Sequence, residues 1–453
     1  MRNTRIAPHA GLALAQYVHA LRADALAETT REAALRCVLD LLCAVVAGFG
    51  DSGARAARRS ALALFGSGQA DIWFAGIKAS PCASLLANSA AASALDLDDG
   101  CRQARGHPGA AVVPAAWATL QALPEGLQSG DEFLTGLVAG YEVGTRMSRG
   151  RLSYSPSGAW SPHAVIAAAG KLRHTRPEVM VQAWGIAAQC APALPGLAGL
   201  MGSDVKEGIP WGSVTGLVAL ELAQEGFTGP VQVLDSPDHF CADRIVDGLG
   251  GAPLIEQTYF KPYACCRHIH AALQAYGDLS SRHGFRAEDV MRVDVHTYRA
   301  TFNLSNLTAP STLVEAQYSV PCCVALCALF GPEALLPISA MHLRDAAVLA
   351  FAKRVNILHD PEIEPLFPAR SPARVTVTTR TGVFASDLTD PRGDPATAFT
   401  WDELEAKFRA ATRSVMRFEQ QQEILAAVGR LRQGDIHPLR LAVGKRLLEP
   451  SGD

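Results

Sequence analysis

From about residue 30 to about residue 230 the chain is a series of apolar segments whose faces are mostly alanine and glycine. That texture restricts the fold more than any other feature. Strands favour β-branched and aromatic side chains, whereas Ala- and Leu-rich segments of this length favour helices. Small faces let the backbones of neighbouring helices come close. Thr30–Val46 reads as a long apolar helix with Thr30 as its cap and Glu32 in the first turn. Ser84–Asp96, Ala110–Leu123, Gly130–Arg149, Pro162–Leu172 and Val214–Gln224 read as further helices, and Gly226–Pro230 as a stop.

After about residue 255 the pattern changes. Val290–Tyr298 alternates β-branched and polar residues, as a half-buried strand does, and Ala373–Thr379 repeats the alternation. Arg380-Thr381-Gly382 is a turn into Val383–Ser386. Helices are expected between the strands, near Ala316–Phe330 and Arg344–Val355, and again from Trp401, where the chain is expected to return to the first domain. The reading is a mainly α protein: a large all-α helical domain plus a smaller α+β domain.

The 453 residues are 49% hydrophobic, enough for a large core in two or three domains. Charged residues make up 19% and the net charge is -3, so no basic excess points to nucleic acid or to an anionic membrane surface. Aromatics are too few for a base-stacking platform. Ala183–Met201 is uncharged and of membrane-span length, but it is Ala- and Gly-rich and broken by Pro192 and Pro195. Buried soluble helices are therefore expected there. The eleven cysteines show no CxxC pair and no iron–sulfur spacing, and no secretory signal is evident. Reduced thiols in a cytoplasmic protein are expected.

Several short motifs, in one order, resemble the MmgE/PrpD family of 2-methylcitrate dehydratases, cis-aconitate decarboxylases and iminodisuccinate epimerases. Ala91–Gly100 (AASALDLDDG) resembles that family's HALDFDD signature. His107-Pro108-Gly109, Gly140–Val143, Gly226–Pro230, Lys261–Arg267 (KPYACCR), Gln317–Pro321, Gly393-Asp394-Pro395 and Trp401–Leu404 are similar to its other motifs. The resemblance implies an all-α domain from both chain ends, residues 1–260 and 396–453, and an α+β domain over 261–395. It also implies an active site between them and a homodimer; no metal and no cofactor are expected, because no metal-ligand spacing is present.

The family's reactions move a proton at a carbon beside a carboxylate or imine. That demands a general base near neutral pKa and fixed cations for an anionic intermediate. His107, in a loop, is the leading proton carrier, since imidazole titrates in the right range. Asp96, at the end of a helix with Asp98 and Asp99, is expected to orient or protonate a catalytic group or to serve as a protonated donor to a substrate carboxylate, although such carboxylates also suit a solvated turn. Lys206 either contacts a substrate carboxylate or lies on the surface. Lys261, Arg267, His268 and His270 form a basic cluster that could clamp carboxylates, or pair with a structural acid. Substrate contacts are also assigned to Ser155, where many members have histidine, to His163, and to Cys322, where many have tyrosine. His163 either restores the missing imidazole or packs in the core. Gly100 replaces a common threonine, and the Asp96–His107 loop is one residue longer than usual.

The resulting expectation is a metal-free lyase dehydrating a small hydroxylated di- or tricarboxylate. Epimerisation and decarboxylation need the same charge-stabilising site and stay open. So does an inactive homologue that only binds a small acid, which the lost tyrosine and histidine would favour.

Overall fold

The computed structural model describes residues 10–192 and 202–447. It is mainly α, with two hydrophobic cores. The first gathers side chains from Ala10 to Ala264 and again from Phe399 to Leu447. The second runs from Cys265 to Val377.

The first core is built from stacked helices, chiefly Glu28–Gly48, Pro81–Ser93, Gly109–Ala122, Gly130–Gly150, Ser157–Leu172 and Ile209–Gln224. Small residues decide how closely they approach. A β-carbon added to Gly212 would lie 2.4 Å from the Gly158 carbonyl oxygen, so Ser157–Leu172 and Ile209–Gln224 meet backbone to backbone. The chain end returns to this body as Trp401–Thr412, which packs on Glu28–Gly48. Lys407 there pairs with the fully buried Asp40 at 2.5 Å and donates to the Leu97 carbonyl at 3.2 Å. The C-terminal return thus holds the base of the Asp96–His107 segment.

In the smaller body four strands lie in the order Val355–His359, Val290–Thr297, Arg374–Thr379, Val383–Ala385. The first pair is parallel (Val293 opposite Val355); the others are antiparallel (Val293 opposite Val377, Thr376 opposite Ala385). The alternating burial of Arg374–Thr379 is the period-2 signal of its sequence. Helices Arg267–His283 and Val320–Phe330 pack on this sheet.

Several boundaries differ from expectation for identifiable reasons. Thr30 is not a cap: the helix begins at Glu28, and the Thr30 hydroxyl donates to Glu256. The helix expected from Pro162 begins at Ser157, with the proline inside it. Ala316–Phe330 is two helices, because Ser319 caps Val320–Phe330 by accepting from the Cys322 amide. That break turns Tyr318 out of the helical run. The helix expected from Arg344 runs Ala346–Ala352, capped by Asp345. Of the Ala183–Met201 window, residues 193–201 lie outside the described residues. No single described helix is long and apolar enough to cross a membrane. All eleven cysteines are free thiols.

Candidate active site

A cleft of about 510 Å³ opens between the two bodies. Its first wall carries Arg102, Arg105, His107, Tyr154, Glu207 and Tyr259; its second carries Cys266, Arg267, His268, Tyr298, Tyr318 and Phe367.

Backbone strain concentrates at the first wall. Six non-glycine residues have positive φ among the described residues, and Asp96 (53°), Arg105 (50°) and Lys206 (48°) are three of them. Such conformations persist only where surrounding structure holds them. Asp96 leaves helix Pro81–Ser93 this way, and its carboxylate turns inward to be buried.

His107 is the centre of the wall. Its Nδ1–H donates to the Asp99 carbonyl at 2.7 Å, and its backbone amide donates to Ser157 Oγ at 3.0 Å. The Asp99 bond fixes the tautomer and leaves the Nε2 lone pair free in the neutral ring. Nε2 lies 3.7 Å from Asp96 Oδ1 and 3.8 Å from Glu207 Oε1, and Nδ1 lies 3.8 Å from Asp98 Oδ2. Burial and the Lys261 ammonium both oppose charging of the ring. The carboxylates of Asp98, Glu207 and Asp96 outweigh them and raise its pKa above the ordinary 6.5.

Asp96 shows the converse balance. Burial would raise its pKa, but Lys261, His107 and Lys206 together lower it to about 2. Lys261 Nζ stands 3.2 Å from Asp96 Oδ1 and donates to the Asp96 carbonyl at 2.8 Å. The Tyr318 hydroxyl donates to the same Oδ1 at 3.2 Å. Behind them, Asp99 accepts from the Gly109 amide at 2.9 Å and from the Tyr141 hydroxyl at 2.5 Å, and burial lifts its pKa to about 7.

Asp96, Asp98 and His107 lie close enough together to hold a metal ion. The donor set fits one poorly, because Lys261 already sits against Asp96 and a divalent ion would meet that ammonium at short range.

The other cations divide by role. Arg102 and Arg267 share Asp394, at 2.6 and 3.0 Å. One carboxylate thus fixes two guanidiniums at the cleft and leaves a net positive charge. Lys206 donates to the Ser93 carbonyl at 3.0 Å and lies 5.8 Å over the Tyr318 ring, in a narrow recess behind His107. Lys261 is fully buried and stays off the cleft wall, so the pairing with an acid, not the carboxylate clamp, describes its geometry.

Four other residues assigned to substrate from sequence lie elsewhere. His163 is fully buried in helix Ser157–Leu172, where burial lowers its pKa to about 3, so it does not replace the missing imidazole. His270 turns inward and contacts the Cys265 carbonyl at 3.0 Å; His268 faces the cleft instead. Cys322 belongs to the second hydrophobic core. Ser155 is buried without lining the cleft, and Ser157 supports His107 and Glu207 in its place.

Residues not singled out from sequence fill the gaps. A β-carbon at Gly100 would lie 2.3 Å from the Tyr259 hydroxyl oxygen, so the hydroxyl absent at position 100 is supplied by Tyr259 across a two-residue pairing. Tyr318, one helical turn before Cys322, supplies the other hydroxyl. Its signal was present in sequence, because Tyr318 lies within the Gln317–Pro321 motif. Glu207, beside Lys206, carried no such signal.

A model of the MmgE/PrpD N-terminal domain matches residues 12–246, and a model of the MmgE/PrpD C-terminal domain matches residues 263–433. A cis-aconitate decarboxylase of Aspergillus terreus is 28% identical over 46% of this chain and 47% of its own length. The cis-aconitate decarboxylase-like protein oryM of Aspergillus oryzae is 25% identical over 76% of this chain and 78% of its own. The match to the first spans about half that relative's length. With both domains matched, the chain belongs to the MmgE/PrpD family.

Proposed function

We propose that this chain is a lyase that dehydrates a small hydroxylated di- or tricarboxylate. One observation carries the reading: His107 Nε2, freed by the Asp99 bond, stands at a cleft wall among carboxylates that stabilise its charged form. The substrate's carboxylates lie against Arg102 and Arg105 of the first wall and Arg267 of the second. Neutral His107 takes the proton from the carbon beside a carboxylate. The imidazolium then returns that proton to the departing hydroxyl, which leaves as water while the carbon–carbon double bond forms. Asp96 and Glu207 stabilise the imidazolium between the transfers. Tyr259, kept protonated first of all by burial, donates to the developing negative charge, while the Tyr318 hydroxyl stays on Asp96. Lys261 and Lys206 act through Asp96 and Tyr318 as positioning residues.

Decarboxylation is the second reading. The raised pKa of His107 favours an imidazolium ready to protonate the carbanion left when carbon dioxide departs. The names of the relatives point the same way. The hydroxyls of Tyr259 and Tyr318 weigh against a homologue that only binds acids. A homodimer, on the family resemblance, and a cytoplasmic location, on the free cysteines, are part of the proposal.

The deciding experiment is proton NMR in deuterated water with a panel of hydroxylated and unsaturated di- and tricarboxylates. An alkene signal supports dehydration. Carbon dioxide with one deuterium gained supports decarboxylation. Deuterium exchange without net product points to epimerisation, and silence across the panel sinks the lyase reading.

A further inference from the structure

The chemistry proposed above uses only part of the cleft. His107, Glu207 and the three arginines account for a proton transfer and for carboxylates. The second wall continues past them into a different surface. The Tyr298 and Phe367 rings stack there, 4.5 Å apart and 12° from parallel, and the His268 ring leans on both at 5.4 and 5.6 Å. Leu304 and Pro368 extend this surface.

Phe367, Leu304 and Pro368 bring no charge to this stretch, and Arg102, whose charge reaches His268, is already held by Asp394 and Ser371. Tyr298 Oη and His268 Nδ1 are 2.7 Å apart, so the phenol's polar atom is already engaged. Burial lowers the His268 pKa to about 4, so the ring is neutral near pH 7. An anionic group placed here would lose water while Arg102 stays engaged with Asp394. An apolar group would gain the burial of its surface. The cleft volume of about 510 Å³ also lies in the range of roughly 300–1,000 Å³ that takes drug-sized ligands, well beyond a citrate-sized acid.

We infer that the substrate bears, beside its carboxylates, a flat apolar arm that lies against Phe367, Leu304 and Pro368, with Tyr298 backing the Phe367 ring. This rests on the polycarboxylate reading of the same cleft. The substrate class is then an aryl- or alkenyl-substituted dicarboxylate, larger than cis-aconitate.

Isothermal titration of the full chain with succinate and with 2-benzylsuccinate tests it. The benzyl compound is expected to bind at least about tenfold tighter, from burial of one ring. Phe367→Ala should remove most of that increment and leave succinate affinity unchanged. Leu304→Ala is the second variant and should remove a smaller part. Equal affinities for the two acids would overturn the arm while leaving the dicarboxylate reading standing. Failure of both acids to bind would overturn that reading, and the arm with it.

Discussion

His107 and His268 face one cleft from opposite walls, and burial opposes the charged form of both. Yet the pKa of His107 rises above 6.5 while that of His268 falls to about 4. The difference lies in what surrounds each ring. Asp96, Asp98 and Glu207 converge on His107 within 3.8 Å. His268 meets a tyrosine hydroxyl and two aromatic faces, with Arg102 adding to the depression. Desolvation alone favours a neutral packing group; carboxylates at hand offset it and favour the charged ring. The first wall is therefore suited to proton transfer and the second to shape and anion recognition.

Exchanging the roles of the two histidines is the most direct way to break this comparison. His107→Gln is expected to lower kcat by about 10²–10⁴-fold or more with the fold retained by circular dichroism, the range for losing a general base. His268→Gln should mainly raise KM. Similar kcat losses in both variants would erase the distinction between the walls.

The next effect is on stability. Lys261→Met leaves the Asp96 carboxylate buried without its closest cation, at a cost of about 3–5 kcal/mol in urea unfolding. A loss under about 1 kcal/mol would mean that Lys206 and His107 suffice to hold Asp96 ionised.

The pH dependence of stability sharpens the comparison further. The folded pKa of His107 lies above 6.5, so its contribution is fully present below about pH 6.5 and is lost as pH rises through the raised value. The folded pKa of Asp96 lies near 2 against the ordinary 3.8, so its contribution is present above pH 3.8 and is lost as pH falls through about 2. His107→Gln should abolish the alkaline slope and His268→Gln should not, by denaturant melts across pH. For dehydration, kcat/KM should rise with pH through the His107 pKa; for decarboxylation it should fall.

Smaller effects belong to the second wall. Tyr298→Phe removes one hydrogen bond to His268 and should cost about 0.5–1.5 kcal/mol, with the pH–rate profile unmoved. The smallest expected effect is that of a chelator, which should leave turnover unchanged because Lys261 supplies the cation beside Asp96. Activity lost with chelator and restored by a divalent ion would reassign Asp96, Asp98 and His107 as ligands.

Much of this molecule was legible in one dimension. Helices rich in alanine and glycine, the alternation of Arg374–Thr379, and the closeness of Asp96 to His107 all follow from local pattern or local motif. Arg267 was legible as a cation at the cleft for the same reason. His163, His270 and Cys322 were misread because residue type and spacing do not give the direction in which a helical side chain points. Their rotation depends on what packs against each helix.

The sequence by itself determined which chemical groups were available, which segments would be helix or strand, and which family the chain resembles. Only the tertiary structure decided what those groups became. Lys261 lies 165 positions from Asp96, and Tyr318 lies 222 from it, yet both touch its carboxylate. Tyr259 supplies the hydroxyl that Gly100 lacks through a contact between strands distant in sequence. Charge state and role are set by the groups within a few ångströms, because Coulomb and desolvation terms are strongest at short range in a buried site. Those neighbours come from segments that only the packed fold brings together.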